Sequence, residues 1–321
     1  MKILFCSYVF APSVGGVEHV GLELARRIAQ RGHHVTVVTE TPGSDQINGL
    51  TVVRNPDAAE LKRLYDQADA VFGNHLSLRL LRPLLFRPKM PHCILLHTHL
   101  SRELPHRLLH AVLLRRGRTY AVSEALARAH HLQDRVIYNG YDADLFHSHE
   151  ASDRSLDFLF VGRLVSDKGI DLLMQALRQL PVRYSCSVVG DGPERNELEA
   201  HAPEQMKFLG RQDSKRIAKL MRQSKWLVVP SRWQEPFGLV AIEAIACGAR
   251  VLAANHGGLP EAVGPCGLLF EPNNVTSLKN AMQAAMECDD QANFTEQERN
   301  THLSQFSYER QVDRILKVLH Q

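Results

Sequence analysis

The stretch Trp226-Leu-Val-Val-Pro230-Ser-Arg-Trp-Gln-Glu235-Pro-Phe-Gly-Leu-Val240-Ala-Ile-Glu243-Ala-Ile-Ala-Cys247 decides how this chain is read. The apolar run 226–229, closed by Pro230, has the form of a buried strand. After a short loop bounded by prolines, residues 238–247 take helical spacing, with Leu239, Ile242 and Ala246 on one side. Glu235 precedes that helix and Glu243 lies about one and a half turns inside it, so at about 1.5 Å per residue the two carboxylates address separated points along one ligand. Between them the peptide N–H groups of Phe237, Gly238, Leu239 and Val240 open a helix, where unpaired donors and partial positive charge attract phosphate. A ligand anionic in the middle and polyhydroxylated at both ends fits this layout, as a nucleoside diphosphate sugar does. The spacing alone admits a plainer account: a first-turn glutamate answers the helix dipole, and one on an exposed face is solvated.

The same strand-to-helix unit recurs on both sides of this stretch. In the first half, strands are expected at 3–8, 34–39, 51–54, 70–72, 93–98, 119–122 and 135–138, and a helix at 17–30 turns Val20, Leu24 and Ile28 inward. A polar segment without periodicity, 147–155, interrupts the pattern. Alternation then resumes with strands at 156–161, 184–189, 206–209, 226–229, 250–254 and 267–270. This predicts an α/β protein of two doubly wound, Rossmann-like domains, 1–150 and 151–305, facing a central cleft at the carboxyl ends of their strands. The tail, 306–321, holds an amphipathic helix at 308–319 with Val312, Ile315, Leu316 and Leu319 on one face, read as packing back toward the first domain.

With 321 residues, 44% apolar and 23% charged, the composition is that of a globular protein with material for two cores. The net charge of +3 is unevenly spread: residues 75–118 carry nine Arg and Lys against the single acid Glu103. Leucine mixed with this charge over 76–118 suits contact with an anionic membrane surface. It equally suits two helices with apolar faces on a sheet and charged faces in solvent. Nucleic acid is disfavoured as a partner, because no aromatic residues are interleaved with the charge. Six scattered cysteines without a C-x-x-C pair argue against a disulfide framework or a zinc site. The N-terminal apolar run is too short for a signal peptide, which leads to the expectation of a cytoplasmic protein, with a peripheral place on the membrane's cytoplasmic face through 76–118.

Smaller motifs sit at strand ends. Pro12-Ser-Val-Gly15-Gly16-Val-Glu18 opens the first helix, where adjacent glycines permit positive backbone angles and close approach of a ligand. It lacks the G-x-G-x-x-G spacing of a nicotinamide site. Gly162-Arg163-Leu-Val-Ser-Asp-Lys168-Gly169 ends the first strand of the second half, and Arg163 with Lys168 offers a fork and a point charge to a diphosphate. Gly190-Asp-Gly-Pro193 reads as a turn. His97 and His99 end the strand 93–98; His99 is taken to face a substrate, since two residues alone make no metal site. Asp142-Ala-Asp144 spells D-x-D, for which turn chemistry is the better account.

Taken in order, Val-Gly-Gly-Val-Glu18, Gly162-Arg-Leu with Lys168-Gly, Gly190-Asp-Gly-Pro, Glu235-Pro-Phe-Gly-Leu-Val-Ala-Ile-Glu243, Ala246-Cys-Gly and Gly257-Gly-Leu-Pro-Glu261 resemble the retaining glycosyltransferases of family 4, also called glycosyl transferases group 1, with the GT-B fold. The resemblance spans nearly the whole chain. It implies that Glu243 binds the nucleotide ribose, Glu235 the transferred sugar, and Arg163 and Lys168 the diphosphate. Gly15 and Gly16 would approach the donor from the first domain, and His99 would line the sugar site. It further implies a metal-independent reaction without cofactor, UDP-sugar as the foremost donor, and a glycan or lipid-linked acceptor of the cell-surface polysaccharide or lipopolysaccharide kind. The reaction implied takes place on one face of the sugar, with the departing phosphate oxygen collecting the acceptor's proton. A catalytically silent nucleotide-sugar-binding subunit, and an epimerase of the same architecture, remain the alternatives.

Overall fold

Strands buried along their whole length organise the protein. The segments Ala70–Asn74 and His92–Leu96 are buried at every position, as expected where helices cover both faces of a parallel sheet. The computed structural model describes residues 1–13, 15–100, 111–112, 118–148, 154–287 and 295–321. These fall into two units, one of Met1–Gly140 with Tyr308–Gln321, the other of Tyr141–Ser307.

The first unit contains β1 (Lys2–Ser7), β2 (His34–Thr39), β3 (Gln46–Ile47), β4 (Leu50–Arg54), β5 (Ala70–Asn74), β6 (His92–Leu96) and β7 (Thr119–Ala121). They hydrogen-bond in the order β3-β4-β2-β1-β5-β6-β7, and every pair is parallel except β3 with β4. The chain builds outward from β1 on one side and then returns to β5 on the other. That reversal leaves a crevice at the carboxyl ends of β1 and β5. Helix Gly16–Gln30 buries Val20, Leu24 and Ile28.

The second unit contains β8 (Leu156–Val161), β9 (Cys186–Val189), β10 (Met206–Phe208), β11 (Ser224–Val229), β12 (Arg250–Ala254) and β13 (Gly267–Phe270). All are parallel, in the order β10-β9-β8-β11-β12-β13. Here the direction reverses between β8 and β11. The loops that follow these two strands are the ones that hold Arg163, Lys168 and Glu235.

Helix Tyr308–Leu319 belongs to the first unit, so residues 306 and 307 part from the helix they precede. Its Gln311 accepts a hydrogen bond from the Gly140 N–H at 2.8 Å and donates to Asn139 Oδ1 at 3.1 Å. Arg27 and Arg31 pair with Glu309 and Asp313 at 2.6 and 2.7 Å. The division between the units falls after Gly140, ahead of the polar segment 147–155.

Local structure departs from the sequence reading at three places. Residues 135–138 form a single bridge, Ala121 with Val136, and not a strand, because the run reaches only the short edge strand β7. The two-residue β3 escaped notice although Asn48-Gly49 marks its hairpin, with both residues at positive φ as such a turn demands. The stretch 76–89 forms one helical turn, Leu78–Leu81, followed by a 3₁₀ segment Arg82–Phe86 that Pro83 opens. Segment 104–117 lies outside the described residues except for Ala111 and Val112.

Candidate functional site

The carboxyl ends of β8 and β11 bring two of the sequence-predicted groups into contact. Lys168, at the end of the 3₁₀ turn Ser166–Lys168, pairs through Nζ with Glu235 Oε1. Ser231 Oγ donates to the same carboxylate oxygen at 2.7 Å. The loop 230–236 is held from both sides. On one side Gly169, at φ +67°, packs beneath the Pro230 carbonyl, where any β-carbon would collide. On the other, the Glu235 carbonyl accepts from the Gly258 N–H at 2.7 Å, and His256 Nε2 lies 2.8 Å from the Ser231 carbonyl. His256, Gly257 and Gly258 of the motif 255–261 thus brace the loop.

Immediately downstream, helix Leu239–Ala246 begins without a side-chain cap. Gly238 stands at its start with φ +112°, a conformation that favours glycine, and a β-carbon there would meet Leu259 at 2.9 Å. Helix Ser214–Gln223 of the same unit is, by contrast, capped by Asp213. The uncapped start leaves the amides of Gly238, Leu239 and Val240 as bare donors beside the Lys168 and Glu235 pair. The Phe237 side chain is buried against Phe306, ring centroids 5.4 Å apart, and so does not address a ligand.

Glu243 sits in the second turn of this helix. Burial pushes its carboxyl up to about 8, with the like charge of Asp142 adding to the shift. Asp142 itself is the turn residue expected: its Oδ1 accepts from the Asp144 and Leu145 N–H groups at 3.1 and 3.3 Å. Arg163 is exposed in the loop after β8. That loop is pressed by Gly190-Asp-Gly, where β-carbons on Gly190 and Gly192 would strike the Gly162 and Leu164 carbonyls. The Gly-Asp-Gly-Pro motif is therefore a packing device.

In the first unit, Gly15 and Gly16 open helix Gly16–Gln30, but not through positive angles. Gly15 is fully extended at φ −176°, open to any residue, and its missing side chain instead makes room for the Glu18 carboxylate. His99 lies beside His130, ring centroids 5.6 Å apart. It helps line a cavity of about 460 Å³ at the carboxyl ends of β1, β2, β5 and β6, with Tyr8, Glu40, His75, Ser77 and Arg79. Ser77 Oγ donates to Glu40 Oε1 at 3.2 Å. Sequence reasoning missed Glu40, although it directly follows β2 and so occupies a strand's carboxyl end.

His97 points to the core. Burial, with His75 adjacent, pushes its imidazole down to about 3. It stays neutral in the fold, whereas the unfolded chain protonates it near its ordinary 6.5. Stability from this residue is therefore complete above about pH 7 and falls as pH drops below 6.5, by about 1.4 kcal/mol per pH unit. His97→Leu is expected to flatten this acid limb, sparing about 2 kcal/mol between pH 6.5 and 5 in urea titrations. Parallel wild-type and variant curves would mean that His97 titrates normally.

The basic stretch is partly spent within its own unit. Arg79 donates to Asn55 Oδ1 and to the Pro56 carbonyl, and Arg87 pairs with Asp66 at 2.5 Å and stacks over Tyr65. Arg82 and Lys89 are exposed, as is Phe86. Arg102, Arg107, Arg115 and Arg116 lie outside the described residues. Among the described residues no helix is long and apolar enough to cross a membrane, and no group of three or more His, Cys, Asp or Glu has the arrangement of a metal site.

Residues 142–310, just over half of the chain, match the family described as Glycosyl transferases group 1, and residues 14–145 match Glycosyltransferase Family 4. The chain belongs to the glycosyl transferases group 1 family. An uncharacterized glycosyltransferase of Methanocaldococcus jannaschii is 33% identical over 190 residues, covering 57% of this chain and 52% of that protein. A D-inositol 3-phosphate glycosyltransferase of Gordonia bronchialis is 37% identical over 177 residues, 49% of this chain and 38% of that protein. The chain thus spans about half or less of the length of these relatives. The crystal structure of HepE from Anabaena in complex with UDP superposes with a TM-score of 0.82 at 24% identity, covering 100% of both chains. This likeness establishes the fold, the two Rossmann-like units of the GT-B class.

Proposed function

We propose that this group 1 protein transfers a hexose, with retention and without a metal, from a nucleoside diphosphate sugar to a glycan or glycolipid acceptor. The observation that carries the reading is the Lys168 and Glu235 pair at the reversal point of the second sheet, beside an uncapped helix start. Lys168, Arg163 and the amides at 238–240 meet the diphosphate. Glu235 takes hydroxyls of the sugar, and Glu243 those of the ribose. Lys168 and Ser231 both engage Oε1 of Glu235, which leaves Oε2 to accept from sugar hydroxyls. The acceptor oxygen forms a bond to the anomeric carbon as the bond to the phosphate oxygen breaks on the same face. The acceptor's proton passes to that departing oxygen, which leaves as the nucleoside diphosphate. Stabilising the leaving charge is then the main catalytic task, with each donor worth about 2–4 kcal/mol. The first unit's cavity with Glu40 and His99 takes the acceptor. UDP-sugars are the donors to test first, since the similar HepE structure contains UDP.

The deciding measurement is calorimetric titration with UDP, GDP and ADP and their hexose conjugates, with and without magnesium, followed by analysis of the sugar product. Binding of one nucleotide class without magnesium, together with a product that keeps the donor's anomeric configuration, is the expected result. Binding without turnover would favour a silent donor-binding subunit, and an altered sugar nucleotide would favour an epimerase. No binding under any condition would sink the reading. The exposed Phe86, Arg82 and Lys89 support peripheral contact with anionic lipid. Vesicles containing phosphatidylglycerol are expected to bind the wild type more tightly than Arg82→Ser/Lys89→Ser.

A further inference from the structure

Arg232 has a larger set of contacts than its place in an exposed loop suggests. Its two terminal nitrogens form a fork on Asp171, each at 2.6 Å from one carboxylate oxygen. Its Nη1 also donates to the Ser166 carbonyl at 2.9 Å, and its Nε to Asn273 Oδ1 at 2.9 Å. The main chain repeats the connection, with the Arg232 and Trp233 N–H groups donating to the Asp167 carbonyl at 2.8 and 3.2 Å. One guanidinium therefore joins the turn that ends at Lys168 to the loop that leads to Glu235, and anchors both to the first turn of helix Ile170–Arg178.

Arg232, Asp171 and Ser166 line a cavity of about 650 Å³ whose walls include neither Lys168 nor Glu235. Arg232 is thus placed to act through its neighbours. The two loops carry groups that must meet different parts of one ligand, the diphosphate and the sugar. A slip between them would misplace Lys168 against the leaving oxygen while leaving ribose contacts intact, and displacements of about 1 Å are costly to the chemical step.

We propose that Arg232 is a positioning residue: its fork on Asp171 sets the register between the Ser166–Lys168 turn and the loop bearing Glu235, and so aligns Lys168 with Glu235 on the donor. The catalytic part rests on the donor reading above, whereas the register itself does not. Lysine cannot replace arginine here, because an ammonium offers no planar pair of donors to a carboxylate.

Both parts can be tested in the intact protein. A brief acetic anhydride pulse, read by peptide mass spectrometry, reports how tightly Lys168 is held. Lys225, paired with Asp157 at 2.9 Å, serves as internal control. In Arg232→Ala, Lys168 is expected to label about fivefold faster while Lys225 is unchanged, with about 30 mM guanidinium restoring protection and Arg232→Lys failing to. Asp171→Asn, which keeps the side chain's shape, should show the same acceleration, and it covers the case in which Arg232→Ala does not fold. Unchanged Lys168 labelling in the folded variants, or equal acceleration of every lysine, would overturn the proposal. With nucleotide sugar, Arg232→Ala is expected to lower kcat by about 10- to 100-fold with donor KM within about threefold. A loss confined to KM would overturn the alignment role. A wild type that binds nucleotide sugar without turnover would condemn the transfer reading instead, and labelling would still decide the register.

Discussion

Lys168→Ala is expected to lower sugar transfer by about 100- to 1,000-fold, the range for removing one preorganised donor to a developing oxyanion. Lys168 reaches its place because Gly169 lets the 3₁₀ turn close tightly under Pro230, and its ammonium is oriented by Glu235. In the donor complex that charge faces the diphosphate, where charge builds as the glycosidic bond breaks. Loss of Lys168 should therefore weaken UDP binding and slow the chemical step together. Glu235→Gln separates the two roles, since an amide keeps the shape and loses the charge that grips sugar hydroxyls. It is expected to leave UDP affinity within about threefold while reducing turnover of the sugar conjugate by about 100-fold. Calorimetry with UDP beside initial rates with UDP-glucose distinguishes these outcomes. Equal losses of UDP affinity in the two variants would show that the pair acts only as a structural bridge.

The parts of the fold legible from sequence are those set by burial. Strands Leu156–Val161, Arg250–Ala254 and Gly267–Phe270 coincide with the spans expected from their largely apolar sequences. The alternation of strands and helices is enough to give two doubly wound sheets. Edges were harder to place, since Val136 and Ile137 are as apolar as a central strand yet meet only one partner residue on β7. The candidate site divides along the same line. Arg163, Lys168, Glu235 and Glu243 announce themselves because ionisable groups at strand ends and helix starts are recognisable locally. Their pairing is not, because Lys168 and Glu235 lie 67 positions apart and only the strand order brings their loops together. Arg232 illustrates the limit: an arginine beside an exposed tryptophan in a loop looks solvated, and its fork depends on Asp171, 61 positions away.

Glu243 carries the largest expected effect on stability. In the unfolded chain its carboxyl ionises near 4.5, whereas burial and the Asp142 charge hold the folded group protonated up to about 8. Its contribution is therefore complete below pH 4.5 and is lost progressively as pH rises through 8, because the unfolded state gives up its proton first. At about 1.4 kcal/mol per unit, with allowance for a partly exposed residue, the loss is on the order of 3 kcal/mol by pH 8. Glu243→Gln keeps the neutral shape and abolishes the titration. The ligand-free variant is expected to melt close to wild type at pH 5 and about 5–10 °C higher at pH 8. Melting curves that run parallel across this range would show an ordinary carboxyl. The stabilised variant should also bind UDP at least tenfold more weakly if the carboxylate grips the ribose. A side chain that burdens the ligand-free fold at neutral pH yet supports ligand binding is one retained for its chemistry, and Glu243→Gln measures both sides of that exchange in one protein.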